Sequence, residues 1–323
     1  MSTPKVIVTR RWPEAVETRL KDLYDVQLNE DDHPMSSEEL QEALRSADAV
    51  LPTVTDPITA DVLNAEPLRC KILGNFGVGF NHIDIDAAKA RGITVTNTPE
   101  VLTDCTADTA MLLMLAVARR GMEGDRHVRQ HEWTGWRPTH MMGTKVTGKT
   151  LGMIGMGRIA QAMARKAHHG FGMKIIFTDP YPPAQSVIDD LQAEMFDTAE
   201  EVLKQADFVS LHCPGGKETY HLINAERLAM MQPTAFLINS ARGDVVDNQA
   251  LIQALKNGTI AGAGLDVFEG EPNLDPGFLE LDNAILLPHL GSATLETRIA
   301  MGNRVLENVE AFFNGTPLRD KIA

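Results

Sequence analysis

The stretch Gly148-Lys-Thr-Leu-Gly-Met-Ile-Gly-Met-Gly-Arg-Ile-Ala160, continued at Thr178-Asp179, decides the fold. Thr150 to Ile154 is a short, mostly apolar run, and Gly155, Gly157 and Ala160 follow it in G-x-G-x-x-A spacing. Ile159 to Phe171 reads as a helix, Lys174 to Phe177 as a second strand, and Asp179 lies just beyond. The order strand, turn, helix, strand, acid predicts a dinucleotide site. Gly155 permits the tight turn, Gly157 lets the backbone approach a pyrophosphate, and small Ala160 lets helix and strand pack closely. The helix N-terminus presents N–H groups and the positive end of its dipole to the phosphates. Asp179, 22 residues after Gly157, can accept hydrogen bonds from the adenosine ribose. A 2′-phosphate would meet like charge there, so the expected cofactor is NAD(H) in preference to NADP(H).

Around this core the chain alternates short apolar runs with helical stretches, which predicts parallel, doubly wound sheets. Before it come strand candidates at Lys5–Thr9, Asp25–Leu28, Ala47–Leu51, Lys71–Leu73 and Ile93–Thr96. Helical patterns fall at Pro13–Leu23, after the capping Ser36, at Thr59–Leu63 and at Ile85–Arg91. Thr103 opens a helix that is apolar nearly all round to Arg120, a pattern of burial. Gly121 to Lys149 is rich in Gly, Trp, His and Met without a clear period and reads as an arm or long loop. After it, strands are expected at Phe208–Leu211, Thr234–Ile238, Gly262–Asp266 and Ala284–Leu287, with helices at Ala199–Gln205, Ala225–Met230 and Gln249–Lys256. Gly291 to Asn314 is a last helical stretch, expected to return to the first domain. The expected fold class is therefore α/β, with two doubly wound parallel-sheet domains and a cleft between them. Residues 1–102 with 292–323 would form a discontinuous substrate-binding domain, and 103–291 a Rossmann NAD-binding domain.

Composition narrows the function. With 323 residues the chain is long enough for two domains. A formal charge of −14 argues against nucleic acid or an anionic membrane surface as partner. The longest apolar run, Ala110 to Ala118, is nine residues and too short to cross a bilayer, and Met1 to Trp12 lacks the apolar core of a signal peptide. Cys70, Cys105 and Cys213 lie far apart, in neither metal spacing nor a disulfide framework. A reduced, cytoplasmic setting follows as the expectation.

Three residues after strand ends carry the types that hydride transfer requires. Arg242, in Asn239-Ser-Ala-Arg-Gly-Asp244, offers a planar fork that can bind a carboxylate bidentately. His289, in Leu287-Pro-His-Leu-Gly291, is a natural acid/base near neutral pH. Glu271, in Phe268-Glu-Gly-Glu-Pro272, could hydrogen-bond that histidine, favour the imidazolium and fix its orientation; Glu269 competes for the role. Singly, each is more often a surface or salt-bridge residue. Together, at the carboxyl ends of strands in an open α/β sheet, they mark a site.

Over essentially its whole length the chain resembles the D-isomer-specific 2-hydroxyacid dehydrogenases. The resemblance is carried by Gly77-Val-Gly79 with His82-Ile-Asp84, Thr96-Asn-Thr-Pro99, the Gly155 fingerprint, Ile238-Asn-Ser-Ala-Arg-Gly243, Gly264-Leu-Asp-Val-Phe-Glu-Gly-Glu-Pro272 and Pro288-His-Leu-Gly-Ser292. Trp133-Thr-Gly-Trp-Arg-Pro138 and the Glu-Gly-Glu-Pro-Asn273 ending point to the glyoxylate reductase and glycerate dehydrogenase (hydroxypyruvate reductase) branch. The resemblance implies Arg242, Glu271 and His289 as the catalytic set, and substrate contacts from Val78, Gly79, Arg242 and His289. It implies cofactor contacts at Thr106, Gly155, Gly157, Arg158, Ile159, Asp179, Cys213, Pro214, Thr219, Ala241, Asp266 and Ser292. It further implies a homodimer built by the 121–149 arm, with Trp136 reaching the neighbouring active site. Asn81 and Cys105 depart from the common pattern, where relatives carry Asp and Ala. The expected activity is NADH-dependent reduction of glyoxylate or hydroxypyruvate, without a metal. A phosphoglycerate- or D-lactate-type reductase, or a dinucleotide-sensing corepressor, remains the alternative.

Overall fold

The computed structural model describes residues 3–323, which divide into two compact units, 3–102 with 292–323 and 103–291. In the first unit β1 (Lys5–Val8), β2 (Asp25–Gln27), β3 (Ala49–Leu51), β4 (Ile72–Gly74) and β5 (Thr94–Thr96) alternate with α1 (Glu14–Leu23), α2 (Ser37–Ser46), α3 (Ala60–Leu63) and α4 (Ile85–Ala90). All pairings are parallel, in the order β2-β1-β3-β4-β5. The inner strands β1, β3 and β4 are short and apolar, as in a sheet covered on both faces, while the edge strand β2 exposes Asp25 and Gln27. Ser36 starts α2 with a capping box: its hydroxyl accepts from Glu39 N at 3.2 Å while the Glu39 carboxylate accepts from Ser36 N at 2.7 Å. The last residues of the chain pair with β5, Ile322 N donating to Val95 O at 2.7 Å.

The second unit begins with α5 (Thr103–Ala118), which buries Ala107, Ala110, Leu113 and Met114. α6 (Gly121–Arg129) follows, where the sequence pattern predicts only irregular chain. None of its residues is buried. Then come β6 (Thr150–Ile154), α7 (Arg158–Phe171), β7 (Lys174–Thr178), α8 (Gln185–Leu191), β8 (Glu194–Met195), α9 (Ala199–Gln205), β9 (Phe208–Leu211), α10 (Ala225–Met230), β10 (Phe236–Asn239), α11 (Asn248–Lys256), β11 (Gly262–Leu265) and β12 (Ala284–Leu286). The seven-residue α8 and the two-residue β8 have no counterpart in the sequence expectations. The seven strands are parallel, in the order β12-β11-β10-β9-β6-β7-β8. One apolar layer, with α5 and α7, includes Leu151, Met163, Phe177 and Ile238; the other, with α9 and α11, includes Val202, Leu237, Leu251 and Ile252. α12 (Leu295–Phe313) belongs to the first unit and starts four residues later than the pattern suggests, capped by Thr294.

The sheet reverses its winding between β6 and β9, the place where open α/β sheets bind ligands. In β6 itself, Gly152 is required by packing. A Cβ there would stand 2.6 Å from Val202 Cγ1 and 2.8 Å from Ala206 Cβ, on or just beyond α9.

Candidate active site

At the reversal the turn after β6 meets the end of β9. Gly155 has φ of +90°, and a Cβ on it would lie 2.9 Å from Cys213 N and from His212 C. Only glycine combines that conformation with that approach. A Cβ on Gly157 would meet nothing within 4 Å, so the backbone there faces open space. Gly157 caps α7 without a side-chain hydrogen bond, unlike Ser36 on α2 or Thr198 on α9. The start of α7 thus has no capping side chain, and a helix N-terminus of this kind is where an anion would be held. Ala160 is fully buried against the sheet. Asp179, just past β7, accepts from Met156 N at 2.5 Å and Tyr181 N at 2.7 Å, which holds its carboxylate beside the turn as an acceptor. An open glycine cradle, a free-facing helix start and a fixed acid fit a dinucleotide.

Other expected cofactor residues line the neighbouring strand ends. Burial pushes the Cys213 thiol up to about 11, so it is protonated and serves as a packing and backbone position. Thr219 Oγ1 donates to Pro214 O at 2.6 Å, which shapes the segment after β9. Thr106, in the first turn of α5, lies against Gly291, whose added Cβ would be 3.3 Å from Thr106 Cγ2. Ala241 O accepts from Arg242 Nη1 at 2.6 Å. Ser292 falls in the first unit.

Three loops after β10, β11 and β12 carry Arg242, Glu271 and His289. Asn239 braces the first, donating to Arg242 O at 2.8 Å and accepting from Ala241 N at 3.1 Å. Burial lowers the Arg242 guanidinium pKa, opposed by the charges of Glu271 and Asp244; it remains a cation at neutral pH. Glu271 accepts from Phe268 N at 2.7 Å and meets His289 Nδ1 at 2.8 Å. Burial works to raise the Glu271 carboxyl, but the bond and charge of His289, the Phe268 N–H and Arg242 outweigh it and hold the acid below its usual range. With Nδ1 engaged, Nε2 is the atom of His289 left to serve a substrate.

His289 has φ of +56°, a left-handed conformation that strains a non-glycine residue. Asp266 holds it there. His289 N donates to Asp266 O at 2.9 Å, and the Asp266 carboxylate accepts from Leu290 N at 2.6 Å and Gly291 N at 2.8 Å. Burial raises the Asp266 pKa against the opposing pull of those N–H groups and of His289. The sequence reading places Asp266 at the cofactor; its bonds within the protein are those of an anchor for the histidine loop.

In the first unit, the loop Gly77–Gly79 is held by its carbonyls. Asn75 Nδ2 donates to Gly77 O and Gly79 O, each at 3.0 Å, and Asn97 Nδ2 to Val78 O at 2.8 Å. The Asn75 carbonyl pairs with His82 Nε2 at 2.9 Å. With its three carbonyls engaged, the loop has a fixed backbone. Asn75 and Asn97 carry no role in the sequence expectations, although Asn97 sits in the Thr-Asn-Thr-Pro stretch; Asn75 lies two residues before the Gly-x-Gly, while Asn97 reaches it only through the fold. Trp136 is 82% exposed on the arm. No group of His, Cys, Asp and Glu among the described residues could hold a metal ion, and no helix is long and apolar enough to cross a membrane.

Residues 111–291 match the family model described as D-isomer specific 2-hydroxyacid dehydrogenase, NAD binding domain. The chain is 47% identical over 316 residues to a glyoxylate reductase of Thermococcus onnurineus, covering 97% of this chain and 93% of the relative. It is 38% identical to a glycerate dehydrogenase of Hyphomicrobium methylovorum, covering all of both. Among solved structures, an NADPH-dependent glyoxylate/hydroxypyruvate reductase of Sinorhizobium meliloti, in complex with NADP and malonate, superposes with a TM-score of 0.88 at 34% identity, covering 100% of this chain and 97% of that one.

Proposed function

The chain belongs to the D-isomer specific 2-hydroxyacid dehydrogenase family of oxidoreductases, and from that premise we propose that it reduces glyoxylate or hydroxypyruvate to glycolate or D-glycerate. The observation that carries the reading is the 2.8 Å bond between Glu271 and His289 on the strand ends that also carry Arg242. The reduced nicotinamide, when bound, supplies the hydride. Arg242 binds the substrate carboxylate and polarises the carbonyl, and the Val78 and Gly79 N–H groups share in holding the carboxylate. His289 Nε2 gives a proton to the oxygen that develops negative charge, while Glu271 compensates the imidazolium. In the reverse direction the same imidazole takes the hydroxyl proton.

Asp179 supports NADH as the preferred cofactor, because its carboxylate would repel a 2′-phosphate and accept from ribose hydroxyls. The 121–149 arm supports a homodimer. α6 buries nothing, and Met122, Val128, Trp133, Trp136 and Met142 are exposed. On this reading Trp136 of the partner subunit closes the substrate site. The composition supports a cytoplasmic setting.

Steady-state turnover of a panel of 2-keto acids with NADH and NADPH, with the chirality of the product determined, tests the proposal. Glyoxylate or hydroxypyruvate should give the highest kcat/KM. Turnover of none of them, with dinucleotide still bound, would make this a sensing protein.

A further inference from the structure

The loop after β11 carries two glutamates, and each holds a histidine from a different segment. Glu271 meets His289. Glu269, two residues earlier, turns the other way: its Oε2 lies 2.9 Å from His221 Nε2 and its Oε1 accepts from Tyr220 OH at 3.0 Å. Tyr220 stacks on His221 with ring centroids 3.9 Å apart and an interplanar angle of 15°. Asp247 is the other acid beside the imidazole, its Oδ2 3.9 Å from His221 Nδ1.

This cluster is tied to the backbone that presents Arg242. His221, at φ of +49°, donates its N–H to Asp244 O at 2.8 Å, and Ile223 N donates to Val245 O at 3.0 Å. Gly243 lies so close to the β11 loop that a Cβ would fall 1.9 Å from Phe268 C and 2.3 Å from Glu269 N. The loop is thus pressed against the Arg242 turn on one side and gripped through Glu269 on the other. Phe268 N, the second donor to Glu271, is one residue before Glu269 in the restrained loop.

We propose that Glu269 is a positioning residue: held by Tyr220 and His221, it keeps the β11 loop where Glu271 meets His289. Glu269 touches neither substrate nor cofactor on this account. It acts by limiting how far Glu271 strays from the imidazole, so its loss lowers the rate of proton delivery and leaves dinucleotide binding intact. The titratable groups facing His221 are Glu269, Tyr220 and Asp247, and none of them is in the reacting set.

The inference rests on the proposed activity for its kinetic readout, so it is tested in two ways on the full chain. Glu269→Ala should lower kcat about tenfold, change KM for NADH less than twofold, and leave Tm nearly unaltered. Glu269→Gln, which can still hydrogen-bond Tyr220 and a neutral His221, should restore at least half of the lost rate. The second readout needs no turnover. The low-field Nδ1–H proton resonance of His289, assigned by its disappearance in His289→Gln, should broaden or vanish in Glu269→Ala and persist in Glu269→Gln. A sharp, unshifted resonance in Glu269→Ala overturns the inference, as does a kcat within twofold of the unaltered protein. So does a loss of kcat, KM and Tm together that Glu269→Gln does not repair. If the unaltered protein reduces no 2-keto acid, the proposed activity fails, and the resonance alone decides the role of Glu269.

Discussion

Glu271 and His289 lie 18 residues apart and meet at 2.8 Å because β11 and β12 are parallel neighbours that release their loops on the same side of the sheet. Replacing His289 by Ala should lower kcat by about 10²–10⁴, the range for losing a general acid. NADH affinity, read from cofactor fluorescence, should stay within twofold. Retained turnover would remove His289 from the mechanism. Glu271 adds a stability consequence. Its folded pKa is depressed, so its contribution is present above the unfolded value of 4.5 and is lost as pH falls through the lower folded value.

Arg242→Lys keeps the charge and removes the fork. A compact ammonium cannot reproduce bidentate carboxylate binding. KM for glyoxylate should rise about tenfold or more and kcat should fall with it. An unchanged KM would show that Arg242 does not hold the carboxylate.

Asp179→Asn removes the charge next to the glycine turn while keeping an acceptor. The unaltered protein should prefer NADH to NADPH at least tenfold in kcat/KM, a difference of about 1.4 kcal/mol. The variant should narrow that gap, chiefly by improving NADPH. Equal use of both cofactors by the unaltered protein would refute the assignment.

His212, at the end of β9, is hydrogen-bonded to Ser210 Oγ at 2.9 Å, and burial pushes its pKa from 6.5 down to about 4. Between those values the unfolded chain holds a proton that the folded chain lacks. Stability must therefore fall as pH drops from 6.5 toward 4. His212→Gln removes the titration and should flatten that slope. Melting temperatures at pH 7.5, 6 and 5 measure it, with about 2–4 °C expected for each kcal/mol. Parallel slopes in the two proteins would mean that His212 titrates alike in both states.

What the sequence determined on its own was local. Gly155, Gly157 and Ala160 carry their turn in their spacing, because positive φ and close approach are properties of single residues. The capping pair Ser36 and Glu39 marks its helix for the same reason. The alternation of apolar strands and helices identifies the sheets, since burial on both faces leaves a continuous signature. Arg242 and His289 stand out only together, as a cation and an imidazole that both follow strand ends of one open α/β sheet.

The rest depended on which segments become neighbours. The anchoring of the His289 loop by Asp266, through three N–H donors, appears only once the loop after β12 folds back. The sequence leaves Glu269 and Glu271 as rivals two residues apart. Tertiary structure separates them by bringing His221 from 48 residues earlier to one, and His289 from 18 residues later to the other. Hydrogen bonds choose among partners by position in space, and strand order, which sets those positions, is absent from a linear pattern of residues.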